Sequence, residues 1–193
     1  ALSGIVRATA LSMSSNQPSS QTLATVEAGT NDPDPAVRLG ALAALDGVSP
    51  EARVPIAFRL LRDSIRSVRI EAARVLAPVP LTTLTGSQRA LLGEVFQDYI
   101  DAQLVNADRA EAHTNIGNLY AQRGIADAAE IAYRDAIRVD ASFALAYLNL
   151  ADIYRALGRE AEGEATLRDG LARALETPAL HHALGLLLVR RGE

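Results

Sequence analysis

Cysteine is absent from all 193 residues. Disulfides, thiol catalysis, thiolate metal sites and CxxCH attachment of haem are therefore excluded from this chain. Tryptophan is absent too, and aromatics make up only 4% of a sequence that is 49% hydrophobic. Any core must then be built from Ala, Leu, Val and Ile, side chains that let helices approach closely. Lysine is the third absence: all 19 basic residues are Arg, set against 23 acids, for a formal net charge of -4. That balance excludes a general nucleic-acid binder, which needs a basic surface. There is no apolar run long enough to insert into a membrane as a helix, which takes about 18 residues or more. The opening ALSGIVRATALSM lacks the basic stretch of a signal peptide. Nucleophile elbow, phosphate loop, HExxH and clustered carboxylate pair are all missing, so no catalytic residue and no metal ligand is assigned.

What is present is periodicity. Val6-Arg7, Val37-Arg38 and Val68-Arg69 recur at a spacing of 31, followed by Ala10, Ala41 and Ala72. Further on, Ala110 to Phe143 aligns with Ala144 to Thr177 at a spacing of 34. Periods of this size mean helical hairpins, each too small to bury its own apolar face and completed by its neighbours. The fold class expected is all-α, a right-handed α-solenoid of antiparallel helix hairpins with about 11 helices. Three segments are expected: 1–80 for the first repeat type, 81–109 as a junction with a long helix, and 110–193 for the second type, with two full copies and a truncated third.

Ile5, Val6, Thr9, Ala10 and Met13 fall on one helical stripe with no capping residue ahead of them, the pattern of a helix begun earlier. Pro18 is expected to open a second helix that ends at Gly29. Asp34 then caps a third with Pro35 at its first position, where the missing N–H costs nothing. That helix reaches about Leu45 and Gly47 breaks it; Ser49-Pro50-Glu51 starts another through Leu61, and Ser67 is read as the cap of the next. After a Pro- and Thr-rich break at 78–85, a long helix is expected from about Ser87 to Asn106, with Leu91, Leu92, Val95, Tyr99, Ala102 and Val105 on its apolar face. Tyr99 and Ala102 precede Tyr133 and Ala136 by 34, so the second register already begins here, as in one continuous superhelix.

The segment DPAVRLGALAAL, a loop, and then PEARVPIAFRLL resembles the HEAT-like repeats known from phycobilisome lyases and related scaffolds. The resemblance implies a structural role for Arg7, Arg38 and Arg69, as a ladder bonding acids or carbonyls of the adjacent repeat. The alternative is a line of guanidinium groups gripping a phosphate or carboxylate. Asp32 and Asp34, two acids flanked by prolines, read as turn and cap rather than as a calcium site.

The segment AEAHTNIGNLYAQRGIADAAEIAYRDAIRVDAS resembles the tetratricopeptide repeat through Ile116, Gly117, Tyr120, Ala129, Tyr133 and Ala136. Tyr147, Leu150, Ala151, Tyr154, Gly158, Leu167 and Gly170 carry the pattern into a second copy, and Pro178, Leu184, Gly185 and Leu188 into a third. Ala141 and Leu175 stand in place of the usual Pro, and Gly163 in place of the usual Ala. Small residues bring the helices of a hairpin together while the tyrosines fill the wedge between hairpins.

Such domains bind ligands on a concave groove lined by the first helix of each hairpin. The resemblance places Glu111, Thr114, Asn115, Asn118, Ala121 and Gln122 there in the first copy. The second contributes Leu145, Leu148, Asn149, Asp152, Arg155 and Ala156, and the third Ala179, His182, Ala183, Leu186, Val189 and Arg190. Asn118 and Asn149 match the two asparagines of the carboxylate clamp of chaperone cofactors, but Thr114, Ala179 and Ala183 occupy the places of its cations, which argues against that clamp. The function expected is a non-enzymatic scaffold binding a protein or peptide through amide-to-backbone hydrogen bonds, with an enzyme as the opposing class. His113 and His181 are expected to be partly buried and His182 to face solvent. Neighbouring helical residues point about 100° apart, so His181 and His182 do not form a metal pair.

The last helix, ALHHALGLLLVRRGE, lacks its hairpin partner, which leaves further sequence or a homodimer to cover Leu184, Leu187 and Leu188. Finally, VRIEAARVLAPVP running into DYIDAQLVNADRAEAHTNIGNLY resembles the C-terminal repeat region of bacterial multihaem c-type cytochromes with doubled CxxCH motifs. That likeness implies haem in a portion preceding Ala1, no cofactor in this chain, and a periplasmic location. A cytoplasmic adaptor unrelated to redox chemistry is the competing reading.

Overall fold

The computed structural model describes residues 2–16, 20–174 and 177–192. Among the described residues there are eleven α-helices, a few short 3-10 turns and no strand. The chain divides into two compact units, Ala1–Tyr99 and Ile100–Glu193.

In the first unit, α1 (Gly4–Ser12), α3 (Pro35–Ala43) and α5 (Arg66–Leu76) carry the 31-residue repeat and stack side by side, α1 on α3 and α3 on α5. Between them come α2 (Ser20–Gly29), packed on α3, and α4 (Pro50–Ala57), packed on α5. Pro18 lies outside the described residues. Val37, Ala41, Val68 and Ala72 are all buried, as the repeat requires, but the equivalent Val6 and Ala10 are exposed together with Ile5 and Met13. Gly40 makes the close approach possible, because a Cβ there would lie 2.4 Å from the Ala8 carbonyl oxygen.

Asp34 caps α3 by accepting from the Ala36 N–H at 2.9 Å, and Pro35 follows at the first helical position. Asp32 accepts from the Asp34 N–H, closing a tight turn. The equivalent turn before α5 corrects the sequence reading: Ser67 lies inside the first helical turn, and Asp63 accepts from the Ile65 N–H at 2.9 Å. Asp63 is Asp32 moved on by one repeat, so the period preserves the turn acid in itself and not a serine cap.

The three repeat arginines form a ladder on these turns. Arg7 pairs with Asp32 at 3.1 Å, Arg38 with Asp63 at 2.8 Å, and Arg69 with Asp98 at 3.6 Å. Arg38 and Arg69 also donate backwards to the backbone carbonyls of Asp32 and Asp63. Arg38 thus joins its own turn to the next one, while Arg69 joins its turn to α6. The anion-site alternative falls here, since each of the three guanidinium groups is taken up by an aspartate, and Arg38 and Asp63 are part-buried against each other with side chains 12% and 8% exposed. Arg53, a buried cation, donates to the carbonyls of Val48, Val75 and Asp46, and burial lowers its pKa.

The long helix is α6 (Gly86–Leu104), entered through a reciprocal cap in which Thr85 and Gln88 bond each other's backbone N–H. Leu92, Val95, Phe96 and Tyr99 are its buried positions. Val105, expected on that face, lies beyond the helix end and is exposed.

In the second unit, α7 (Ala110–Gln122) pairs with α8 (Ala126–Val139), and α9 (Ala144–Ala156) with α10 (Glu160–Arg173). A single helix, α11 (Pro178–Arg191), packs on α9 and α10. Gly124 and Gly158, one repeat apart, turn the chain inside each hairpin with φ of 71° and 70°, a left-handed conformation that other residues adopt only under strain. A Cβ on Gly117 would lie 2.4 Å from the Tyr133 ring, and one on Gly170 would lie 2.8 Å from that of Tyr147. Small residues therefore seat the tyrosines, as expected, and Tyr133, Tyr147 and Tyr154 are buried.

A charged clasp absent from the sequence reading ties the hairpins together. Glu130, 7% exposed, holds Arg134 and Arg159 at 2.7 Å each and accepts from the Tyr154 hydroxyl. The Arg159 guanidinium also lies 4.5 Å above the Tyr154 ring. Glu164, one repeat further on, holds Arg168 and Arg191 in the same way. Glu-x-x-x-Arg at the repeat spacing was the signal available in the sequence.

Candidate functional site

Helical periodicity puts positions two, five, six, nine, twelve and thirteen of α9 and α11 on one side of their helices. Between these two helices lies a groove with a volume of about 370 Å³. Leu145, Leu148, Asn149, Asp152 and Arg155 line it from α9, and Ala179, His182, Ala183, Leu186 and Arg190 from α11. The structure thus brings together most of the positions expected from the second and third copies. The floor, formed by Ala151, Leu167 and Leu187, is the part that the positional reading missed. These belong to the apolar cluster of Tyr147 and Leu180, so the groove rests on the core of the unit.

The walls are mixed. Leu145 and Leu186 are 46% and 49% exposed, large apolar surface open to solvent. Asp152 and Arg155 pair with each other at 3.1 Å along one helix face. His182 is exposed, as expected. His181 is exposed too, against expectation. Its repeat equivalents His113 and Tyr147 are buried because each reaches a carbonyl in the preceding turn, Ala107 and Ala141 respectively, at 2.9 Å. The corresponding turn residue for His181 is Leu175, outside the described residues.

Positions from the first copy are dispersed. Glu111 and Gln122 lie on α7 and do not line the groove. Asn115 donates to the Gln103 side chain at 3.1 Å. Thr114 is corrected: at 1% exposure it is core and unavailable to a ligand, and its hydroxyl has no hydrogen-bond partner among the described residues. Crowding is the cause, since α7 is packed by α8 and α9 while the end of α6 reaches it through Gln103.

Asn118 is the link between copies. Its Oδ1 accepts from Asn149 Nδ2 and from the Tyr133 hydroxyl, both at 2.8 Å. Burial, helped by the nearby Asp152 charge and opposed by the adjacent Asn149 amide, pushes the Tyr133 phenol up to about 12, so it stays a donor at neutral pH. Three donor and acceptor groups are thus locked in fixed orientations. Asn118 Nδ2 and Asn149 Oδ1 have no partner among the described residues; Asn149 lines the groove, whereas Asn118, on α7, does not.

Among the described residues no group of three His, Cys, Asp or Glu is arranged to hold a metal, and no helix is long and apolar enough to cross a membrane.

Comparison with known proteins agrees with this geometry. Residues 110–143 and 144–176 match the family model described as Tetratricopeptide repeat, the same two copies given by the 34-residue spacing. No curated protein matches the chain. Among solved structures it is similar to a thermophilic TPR protein of Thermus thermophilus, with 21% identity and a TM-score of 0.54, over 87% of this chain and 89% of that one. At that identity the likeness concerns the fold alone.

Proposed function

We propose that this chain is a non-enzymatic interaction scaffold that takes a protein or peptide segment into the groove between α9 and α11. The observation that carries this reading is the convergence of Leu145, Leu148, Asp152, His182 and Leu186, from two successive repeats, on one open groove. Peptide-binding grooves of this kind combine side-chain pockets with bonds to the ligand backbone. Here the leucines supply apolar contact, and Asn149, held by its bond to Asn118, offers its carbonyl oxygen as an acceptor already fixed in place.

A pull-down from the cells that make the protein, followed by quantification of the captured partner, tests this. Leu186→Asp, at an exposed groove wall, and the double replacement of Asn118 and Asn149 by Ala are expected to reduce capture at least about tenfold, by loss of an apolar contact in the first and of a well-placed polar contact in the second. Unchanged capture by both variants, with melting curves like that of the unaltered protein, refutes the groove.

The likeness of the chain to the repeat region of multihaem cytochromes extends the proposal: the scaffold works in the periplasm and docks a partner of a larger electron-transfer protein. Reading the gene upstream of Ala1 for CxxCH motifs and a signal peptide tests that extension. Finding neither leaves a cytoplasmic adaptor.

A further inference from the structure

The whole chain carries a net charge of -4, yet the groove between α9 and α11 is lined by two arginines and one acid. The single acid, Asp152, is already paired with Arg155. Arg190, at the other wall, has neither ion pair nor hydrogen bond among the described residues, whereas its neighbour Arg191 is held by Glu164. His182 adds an imidazole to the same lining. Against this stand Leu145, Leu148 and Leu186, which need apolar surface to cover them. Charge and hydropathy together define the complement: an acidic side chain beside apolar ones.

We infer that the groove selects an internal peptide segment in which Asp or Glu alternates with large apolar residues, the carboxylate lying against Arg190 and the apolar side chains against the three leucines. This deepens the groove reading given above and rests on it. Arg190 is suited to the task, since a planar guanidinium offers a carboxylate two parallel hydrogen bonds. The recognised group is a side-chain carboxylate and not a chain terminus, because the places where a terminal carboxylate would meet cations hold Thr114, Ala179 and Ala183.

Short fluorescent peptides of leucine with glutamate, with glutamine or with lysine, all blocked at both termini, separate the possibilities by anisotropy titration. The Leu/Glu peptide is expected to bind about fivefold tighter than Leu/Gln, the scale of one partly exposed ion pair, and Leu/Lys more weakly than either. Arg190→Gln, at an exposed position, should bring Leu/Glu down to the Leu/Gln level and leave Leu/Gln binding unchanged. Equal affinity for Leu/Glu and Leu/Gln, or indifference to Arg190→Gln, overturns the charge selection while sparing the groove. A Leu/Gln peptide with a free C-terminus binding as tightly as blocked Leu/Glu overturns the side-chain assignment. Absence of binding by every peptide overturns the groove together with the inference.

Discussion

Gly163 stands inside α10 with room for a side chain that it lacks. A Cβ there would meet its nearest neighbours, the Ala151 carbonyl oxygen and Leu187 Cδ1, at 3.5 Å, ordinary contact. Glycine in a helix interior costs about 0.5–1 kcal/mol relative to alanine. Gly163→Ala is therefore expected to stabilise the protein by that amount in urea unfolding, whereas Gly117→Ala, forced against the Tyr133 ring, should destabilise it. The 34-residue spacing made Gly117, Tyr133 and Tyr147 legible in the sequence, because packing within a hairpin depends only on residues of the same repeat. Thr114 and His181 were misjudged for the opposite reason. Thr114 is covered by the packing of α7 against α8 and against α9 of the next repeat, and His181 stands on a helix that no further hairpin covers among the described residues.

At the scale of elements, the arginine ladder pins successive repeats of the first unit above their aliphatic core. Arg38 is its least exposed rung, and removing it leaves the part-buried Asp63 carboxylate without its partner, at a cost of roughly 1–3 kcal/mol. Arg7→Ala, at a rung whose arginine is 40% exposed, should cost no more than about 1 kcal/mol. Urea midpoints of the two variants check this ordering, and equal losses would contradict it. The helix starts were legible where proline fixed them, as at Pro35 and Pro50. The start of α5 was misassigned because its turn is made by an aspartate side chain bonding two residues on, a signal visible only by comparing Asp63 with Asp32 across the period. The Glu130 and Glu164 clasps were overlooked similarly, their partners Arg159 and Arg191 being contributed by the following hairpin and by α11 respectively.

At the scale of the molecule, each of the two units is built from hairpins that are stable only against their neighbours. The two bury charge differently: the first uses arginines on turn acids and carbonyls, the second a glutamate between arginines and a tyrosine. The groove forms where two first-position helices, α9 and α11, stand side by side with small residues, Ala179 and Ala183, on the inner wall. Amide shift mapping of the isotopically labelled protein during titration with the blocked Leu/Glu peptide tests the groove most directly. The shifts should centre on Leu145, Leu148, Asp152, His182, Leu186 and Arg190 and include the side-chain amides of Asn118 and Asn149. Shifts centred instead within the first unit, or on the outer surfaces of α8 and α10, would contradict the assignment of this groove as the binding site.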